Sequence, residues 1–138
     1  MAIRAVKKIQ NLVQIKTAFI SVYDKTGLTE FVQQLIESCP DVTILTSGGT
    51  YNHLKKGLTP ELAGKHVQEV SEYTGMPETE GGLVKTLHHK LYLGLLTETF
   101  SESHQADLAR EKALPIDLVM VGLYPFKDVI SKEESTFE

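Results

Sequence analysis

The segment at positions 21–27, SVYDKTG, carries groups that suit the binding of an anion. Lys25 supplies a full positive charge, Ser21 and Thr26 supply hydroxyl donors, and Gly27 allows close approach of the backbone. A helix that begins after this segment would add the positive end of its dipole. The same residue types also form ordinary helix caps, so both interpretations stay open from this segment alone.

A second segment, SGGT at positions 47–50, offers related chemistry. The adjacent Gly48 and Gly49 permit a turn whose N–H groups converge on one anion, while Ser47 and Thr50 donate from the sides. A plain turn is the alternative. Both segments lie between a predicted strand and a predicted helix, and open α/β sheets bind ligands at the carboxyl ends of their strands. Together, the two segments predict a site that holds one phosphate group.

The segment at positions 81–90, GGLVKTLHHK, adds further candidates. Lys85 and Thr86 follow a Gly-Gly pair, and a lysine there can complete a phosphate site because its ammonium has three donors. His88 and His89 are adjacent, but neighbouring histidines usually point apart and no cysteine or carboxylate spacing accompanies them, so no metal site is predicted. His88 fits acid–base or hydrogen-bonding work as well as an ordinary surface position.

A fourth candidate, Tyr124, follows the apolar run DLVMVGL at positions 117–123. A continuous apolar run is typical of a strand buried in a parallel sheet, and its carboxyl end would bring Tyr124 to the edge that carries the glycine segments. A core aromatic before Pro125 is the alternative. Cys39 has no partner base and is predicted to be structural.

The remaining pattern alternates strands with helices. Strands are predicted over 17–23, 42–46, 66–70 and 117–123. Helices are predicted from Leu28 to a stop before Pro40, over 50–56 with an end at Gly57, and over 99–114 with a Thr99–Glu102 capping box and inward-facing Leu108 and Ala109. Positions 71–82 are predicted to be irregular, and 91–96 fit either a strand or a helix. This order predicts an α/β fold with a doubly wound, mainly parallel open sheet.

Composition sets the limits on function. The 138 residues are 41% hydrophobic and 23% charged with a net charge of −4, which predicts one folded domain and argues against nucleic acid as the main partner. No apolar run has the length of a membrane-spanning helix. The single cysteine favours the cytoplasm. Positions 1–16 are basic and acid-free, which predicts an N-terminal extension that packs on the 17–138 domain as a helix or arm; a weak targeting helix is the alternative.

Taken in order, SVYDKTGL, TSGGT, VSEYTGMPE, GGLVKTLHHK and VGLYPF resemble the N-terminal inosine-monophosphate (IMP) cyclohydrolase domain of the bifunctional purine-biosynthesis enzyme, from about Lys16 onward. The resemblance implies a methylglyoxal-synthase-like fold, a homodimer and a formyltransferase domain in a longer parent chain. It also implies closure of formylaminoimidazole-carboxamide ribonucleotide to IMP with loss of water, without cofactor or metal. The alternative is a non-catalytic methylglyoxal-synthase-like module that binds a phosphorylated metabolite. Methylglyoxal synthase itself fits less well, because its acidic motifs do not follow SGGT.

Matching positions imply the residue roles. Lys85, Thr86 and Tyr124 would form the reacting site, and His88 is a further candidate contact. The phosphate would be held by Ser21, Lys25, Thr26, Gly27, Ser47, Gly48, Gly49 and Thr50. The family usually has Arg at Leu83, Pro at His89 and Asn at Gly122. Extra residues at 57–65 are expected to lengthen a surface loop, and the family's unit continues past Glu138 with a further Asp and Lys.

Overall fold

The computed structural model describes residues 8–77, 86–123, 125 and 130–131. The elements in these ranges are β1 (Thr17–Ser21), α1 (Leu28–Ser38), β2 (Thr43–Thr46), α2 (Gly48–Gly57), α3 (Pro60–His66), β3 (Val67–Glu69), α4 (Val70–Thr74), α5 (His89–Leu96), α6 (Glu102–Glu111) and β4 (Leu118–Val121). No helix among these residues combines the length and apolar character needed to cross a membrane.

The strands form one parallel sheet in the order β3-β2-β1-β4. Thr17 pairs with Thr43 on one side of β1, and Ala18 pairs with Leu118 on the other. Because every strand runs in the same direction, the carboxyl ends of β1, β2 and β4 meet at a single edge. The predicted α/β fold with a parallel sheet is confirmed.

Helices cover both faces of the sheet. One core contains Ile20 and Ile44 from the strands together with buried residues of α1, α2 and α3. The periodic apolar positions of α1 face this core, as their spacing predicts: Leu28, Val32, Leu35 and Ile36. The other core contains Phe19 and Leu45 with Val70 of α4 and Leu91 of α5. Alternate residues of β1 and β2 therefore serve opposite cores, which is the doubly wound arrangement.

Helix α5 packs closely on the segment before β4. Gly94 is buried, and the N–H of Ile116 donates to its carbonyl oxygen at 2.9 Å. A Cβ atom on Gly94 would overlap the carbonyl oxygen of Leu114 and lie 3.0 Å from Cγ1 of Ile116. Tyr73 of α4 accepts a hydrogen bond from the N–H of Leu114, and burial raises the pKa of its hydroxyl. These contacts hold α4 and α5 against the segment that precedes β4.

An acidic side chain joins the beginnings of β1 and β4. Oδ2 of Asp117 accepts hydrogen bonds from the N–H groups of Lys16 and Thr17 at 2.8 and 2.9 Å. The described part of the N-terminal extension has no helix, and the Lys8 ammonium lies 4.4 Å from the centre of the Phe100 ring. Positions 1–7 lie outside the described residues, so the form of the whole extension stays a prediction.

Several predicted boundaries are wrong. The last helix begins at Glu102 rather than Thr99, because the Ser101 hydroxyl accepts from the N–H of His104 and caps it, and Ala109 is exposed. Positions 91–96 are helical, and α4 occupies the beginning of the segment predicted to be irregular.

Positions 57–65 also differ from the predicted surface loop. Most of them belong to α3, whose N-cap Thr59 accepts from the N–H of Leu62. Ala63 and His66 are buried, and the His66 ring bonds through Nδ1 to the carbonyl oxygen of Val42 at 2.8 Å. The segment became a helix because it has its own cap and buries one face against the first core.

Candidate anion-binding site

An open pocket of about 280 Å³ lies at the carboxyl edge of the sheet. Three strands contribute to its wall: the residues after β1, the beginning of α2 after β2, and Gly122 after β4. The lining residues are Ser21, Val22, Tyr23, Lys25, Ser47, Gly48, Gly49, Thr50 and Gly122. The two segments that the sequence predicted to share one site therefore do lie together.

The Thr50 hydroxyl joins the two loops. Thr50 is only 3% exposed. Its Oγ1 donates to the carbonyl oxygen of Val22 at 3.1 Å and accepts from the N–H of Val22 at 3.3 Å. This reciprocal pair crosses 28 positions of sequence and fixes the distance between the β1 loop and α2.

The Lys25 ammonium lies over the beginning of α2. It donates to the carbonyl oxygens of Tyr23 at 2.9 Å and Val22 at 3.4 Å. A Cβ atom built on Gly49 would be 3.7 Å from both Cε and Nζ of Lys25. Two of the three ammonium protons are thus committed to the loop, and the charge is held beside the helix end.

The beginning of α2 is electropositive. Its first turn has no acidic residue, whereas Lys55 and Lys56 occupy its last turn. The N-cap Ser47 makes no side-chain capping hydrogen bond, and its carbonyl accepts from the N–H groups of Thr50 and Tyr51. The first N–H groups of a helix have no partner within the helix, so the arrangement suits an anion.

Gly48 has a backbone conformation that glycine adopts without strain. Its φ of +52° lies in the left-handed region, where a Cβ atom would crowd the following carbonyl. Two adjacent glycines were predicted to form a turn before a helix, but both lie within the first turn of α2. The conformation of Gly48 allows the chain to leave β2 and enter the helix at once.

The beginning of α1 already has an internal anion. Oδ1 of Asp24 accepts from the N–H of Thr26 at 2.9 Å and from its hydroxyl at 2.7 Å. The hydrogen bond from the Thr26 N–H, with the one from its hydroxyl, lowers the pKa of the Asp24 carboxyl. Gly27 is the N-cap of α1 with φ +70°. Neither Thr26 nor Gly27 lines the pocket among the described residues, so the structure separates these two candidates from the other six.

The candidates in the 81–90 segment lie elsewhere or outside the described residues. Thr86 lines a small apolar pocket with Phe19 and residues of α5. His88 is the N-cap of α5, and its Nδ1 accepts from the N–H of Lys90 at 3.2 Å. Lys85 and Tyr124 are outside the residues that the structure describes, so their predicted roles stay predictions.

Some lining residues were not predicted from the sequence. The carbonyl oxygen of Val22 accepts two hydrogen bonds. The apolar side chain of this residue gives no sign in the sequence that its backbone has this role. Tyr23, which is half exposed, and Gly122 also line the wall. Their positions inside the SVYDKTG and VGLYPF motifs are the signal that could have identified them. Within the described ranges, no three histidine, cysteine or acidic side chains are grouped as metal ligands.

The sheet and its edge pocket define the class of protein. The solved crystal structure of ForH matches with a TM-score of 0.64 and 27% sequence identity, over 80% of this chain and 53% of that one. Together with the parallel four-stranded sheet, this agrees with a methylglyoxal-synthase-like α/β fold. No family model matches the chain.

Curated sequences give the more particular relationship. The chain is 43% identical over 127 residues to the bifunctional purine biosynthesis protein PurH of Leptospira biflexa and 44% identical over 124 residues to that of Bacillus subtilis. These alignments cover 92% and 90% of this chain and 23% of each relative. The PurH of Magnetococcus marinus is 44% identical over 127 residues, 92% of this chain and 22% of that protein. The chain is therefore similar to the N-terminal region of PurH and spans less than a quarter of its length, which confirms the predicted resemblance.

Proposed function

We propose that the pocket binds the 5′-phosphate of a phosphoribosyl purine precursor and that the chain is an IMP cyclohydrolase-like domain of purine biosynthesis. The observation that carries this proposal is the Lys25 ammonium held over the beginning of α2 beside Gly49. A full positive charge and the helix dipole act there on the same small volume. A pocket of about 280 Å³ accommodates a phosphoryl group with part of a sugar, and the rest of the ligand lies beyond it.

The proposed reaction closes a ring. The carboxamide nitrogen attacks the formyl carbon and forms a C–N bond. The formyl oxygen then leaves as water with one proton from each of the two nitrogens. Both groups are on one imidazole ring, so the attack is intramolecular, and the site would speed it by holding the carboxamide nitrogen and the formyl carbon in the reactive orientation. By resemblance, Lys85 would stabilise the negative charge that develops on oxygen, with Thr86 beside it, and Tyr124 would donate or relay a proton.

The name of these relatives supports a further part of the proposal. PurH is called bifunctional, which supports a longer parent chain in which a formyltransferase domain accompanies this one. A homodimer and a cytoplasmic location stay predictions.

Calorimetry with IMP and with ribose 5-phosphate tests the site. We expect wild-type protein to bind both ligands and Lys25→Ala to weaken both by about tenfold or more, since a charge-assisted contact to phosphate is worth about 1.5–3 kcal/mol. Both ligands share the 5′-phosphate, so an equal loss points to the phosphate contact.

Lys55→Ala is the matched control. Lys55 also lies at α2, but in its last turn, with its ammonium 5.4 Å from the Tyr51 ring centre. The Lys55→Ala substitution also removes one positive charge, but at the far end of α2 from the pocket. We expect it to leave the affinities for both ligands unchanged. Absence of binding by wild-type protein, or equal losses in the two variants, would show that the site is wrongly assigned.

A further inference from the structure

The Thr50 hydroxyl has no proton left for a ligand. A hydroxyl group carries one donor, and that of Thr50 goes to the carbonyl oxygen of Val22 at 3.1 Å. The side chain is also 3% exposed. Its N–H is directed to the carbonyl of Ser47 at 3.2 Å. Thr50 is therefore poorly placed to donate to an anion in the pocket, although its type and position suggested that role.

The peptide groups of Val22 are where the two loops meet. The carbonyl of Val22 accepts from both the Thr50 hydroxyl and the Lys25 ammonium, and the N–H of Val22 donates back to Thr50. Thr50 belongs to α2, whereas Lys25 belongs to the loop after β1. The orientation of the Val22 backbone thus depends on Thr50. The Val22 carbonyl at 3.4 Å, together with the Tyr23 carbonyl at 2.9 Å, in turn holds the ammonium in place.

We propose that the Thr50 hydroxyl has a positioning role: through the backbone of Val22 it helps to hold the Lys25 ammonium over the first turn of α2, and it does not itself donate a hydrogen bond to the phosphate. This inference rests on the proposed function, because it explains how the anion site is held ready before the ligand arrives. Preorganised charge spares the ligand the cost of ordering the site.

Substitutions at Thr50 separate the hydroxyl from the side-chain volume. Thr50→Val keeps the shape and removes both hydrogen bonds, whereas Thr50→Ser keeps the hydroxyl and loses a methyl group. We expect Thr50→Val to raise the dissociation constants of IMP and ribose 5-phosphate by about tenfold, as two lost hydrogen bonds imply. Thr50→Ser should restore binding close to that of wild type.

Thr29→Val provides a matched control. The Thr29 hydroxyl bonds to Nε2 of His53 at 3.2 Å and so also joins the first two helices, but it does not touch Val22. The Thr29→Val substitution likewise replaces a hydroxyl by a methyl group between the first two helices. We expect it to leave the dissociation constants of both ligands unchanged.

Amide hydrogen exchange in the absence of ligand gives an independent measurement. The N–H of Val22 donates to Thr50, so Thr50→Val should speed its exchange selectively, while Thr50→Ser and Thr29→Val should not. If Thr50→Val does not fold, Thr50→Ala supplies the same measurement.

The outcomes distinguish this inference from the proposed function. If wild-type protein binds neither ligand, the proposed function is overturned, and so is the part of this inference that concerns ligand affinity. Ligand binding that survives Thr50→Val, or that Thr50→Ser fails to restore, overturns the positioning role alone. Unchanged Val22 exchange in Thr50→Val overturns it whether or not a ligand binds.

Discussion

At the scale of single residues, the site depends on backbone conformation as much as on charge. Gly48 and Gly49 are chemically identical neighbours in the first turn of α2, yet only Gly48 has a positive φ. A Cβ atom at Gly49 would make ordinary contacts with the Lys25 side chain. The two positions therefore differ: a side chain at Gly48 would strain the backbone, whereas one at Gly49 would meet the Lys25 side chain at an ordinary contact distance.

Alanine at each glycine tests this difference. We expect Gly48→Ala to lower the free energy of unfolding by about 1–2 kcal/mol, the cost of a left-handed conformation with a Cβ atom. Gly49→Ala should leave stability unchanged or slightly higher, because alanine favours the helix. Urea denaturation of both variants checks the prediction, and equal losses would contradict it.

At the scale of secondary structure, α5 begins next to the predicted reacting segment and has a titratable cap. His88 accepts from the N–H of Lys90 through Nδ1, an acceptor role that only the unprotonated nitrogen performs. Burial, followed by the charges of His89 and Lys90, lowers the pKa of His88 from its usual 6.5. His89 in turn lies 3.3 Å from Oε2 of Glu111 on α6. The cap of α5 at His88 should therefore respond to pH.

The lowered pKa of His88 determines the sign of that response. Below 6.5 the unfolded chain binds a proton at this residue more readily than the folded chain does, so acid favours unfolding. We expect the contribution of His88 to be fully present above 6.5 and to be lost as the pH falls from there through the folded pKa.

His88→Ser keeps a capping oxygen and removes the titration, so its Tm should fall less than that of wild type between about pH 7.5 and about pH 5.5. Calorimetric scans at several pH values measure the difference between the two proteins, in which the titrations that they share cancel. Parallel curves for the two would contradict the prediction.

At the scale of the whole molecule, the described domain has an exposed apolar edge. Strand β4 is at one end of the sheet, and Val119 and Val121 are 47% and 63% exposed on the face that contains Phe19. The PurH relatives are more than four times as long as the part that this chain matches. An uncovered apolar edge strand favours association between copies.

We expect the chain to self-associate in a concentration-dependent manner and Val121→Lys to weaken that association, because lysine on an edge strand opposes edge-to-edge pairing. Leu12→Lys makes a similar change at an exposed position of the N-terminal arm and is the control. Sedimentation velocity over a range of concentrations measures the effect. A chain that stays monomeric, or equal behaviour of the two variants, would contradict the prediction.

The sequence by itself determined the local features. The apolar period of α1, the strands before the two glycine segments and the order of the motifs all follow from the types and spacing of neighbouring residues. Parallel pairing then brings segments that follow strands to one edge, so most of the pocket wall could also be predicted.

Only the tertiary structure decided what each polar group does. Thr26 and Thr50 looked equivalent in sequence, but Thr26 is bound to Asp24 outside the pocket, whereas Thr50 is buried against Val22. Local patterns also missed α3, whose cap and buried His66 matter only when the first core forms around them. The physical reason is that burial and hydrogen bonds between residues distant in the chain arise only when the sheet and helices have packed.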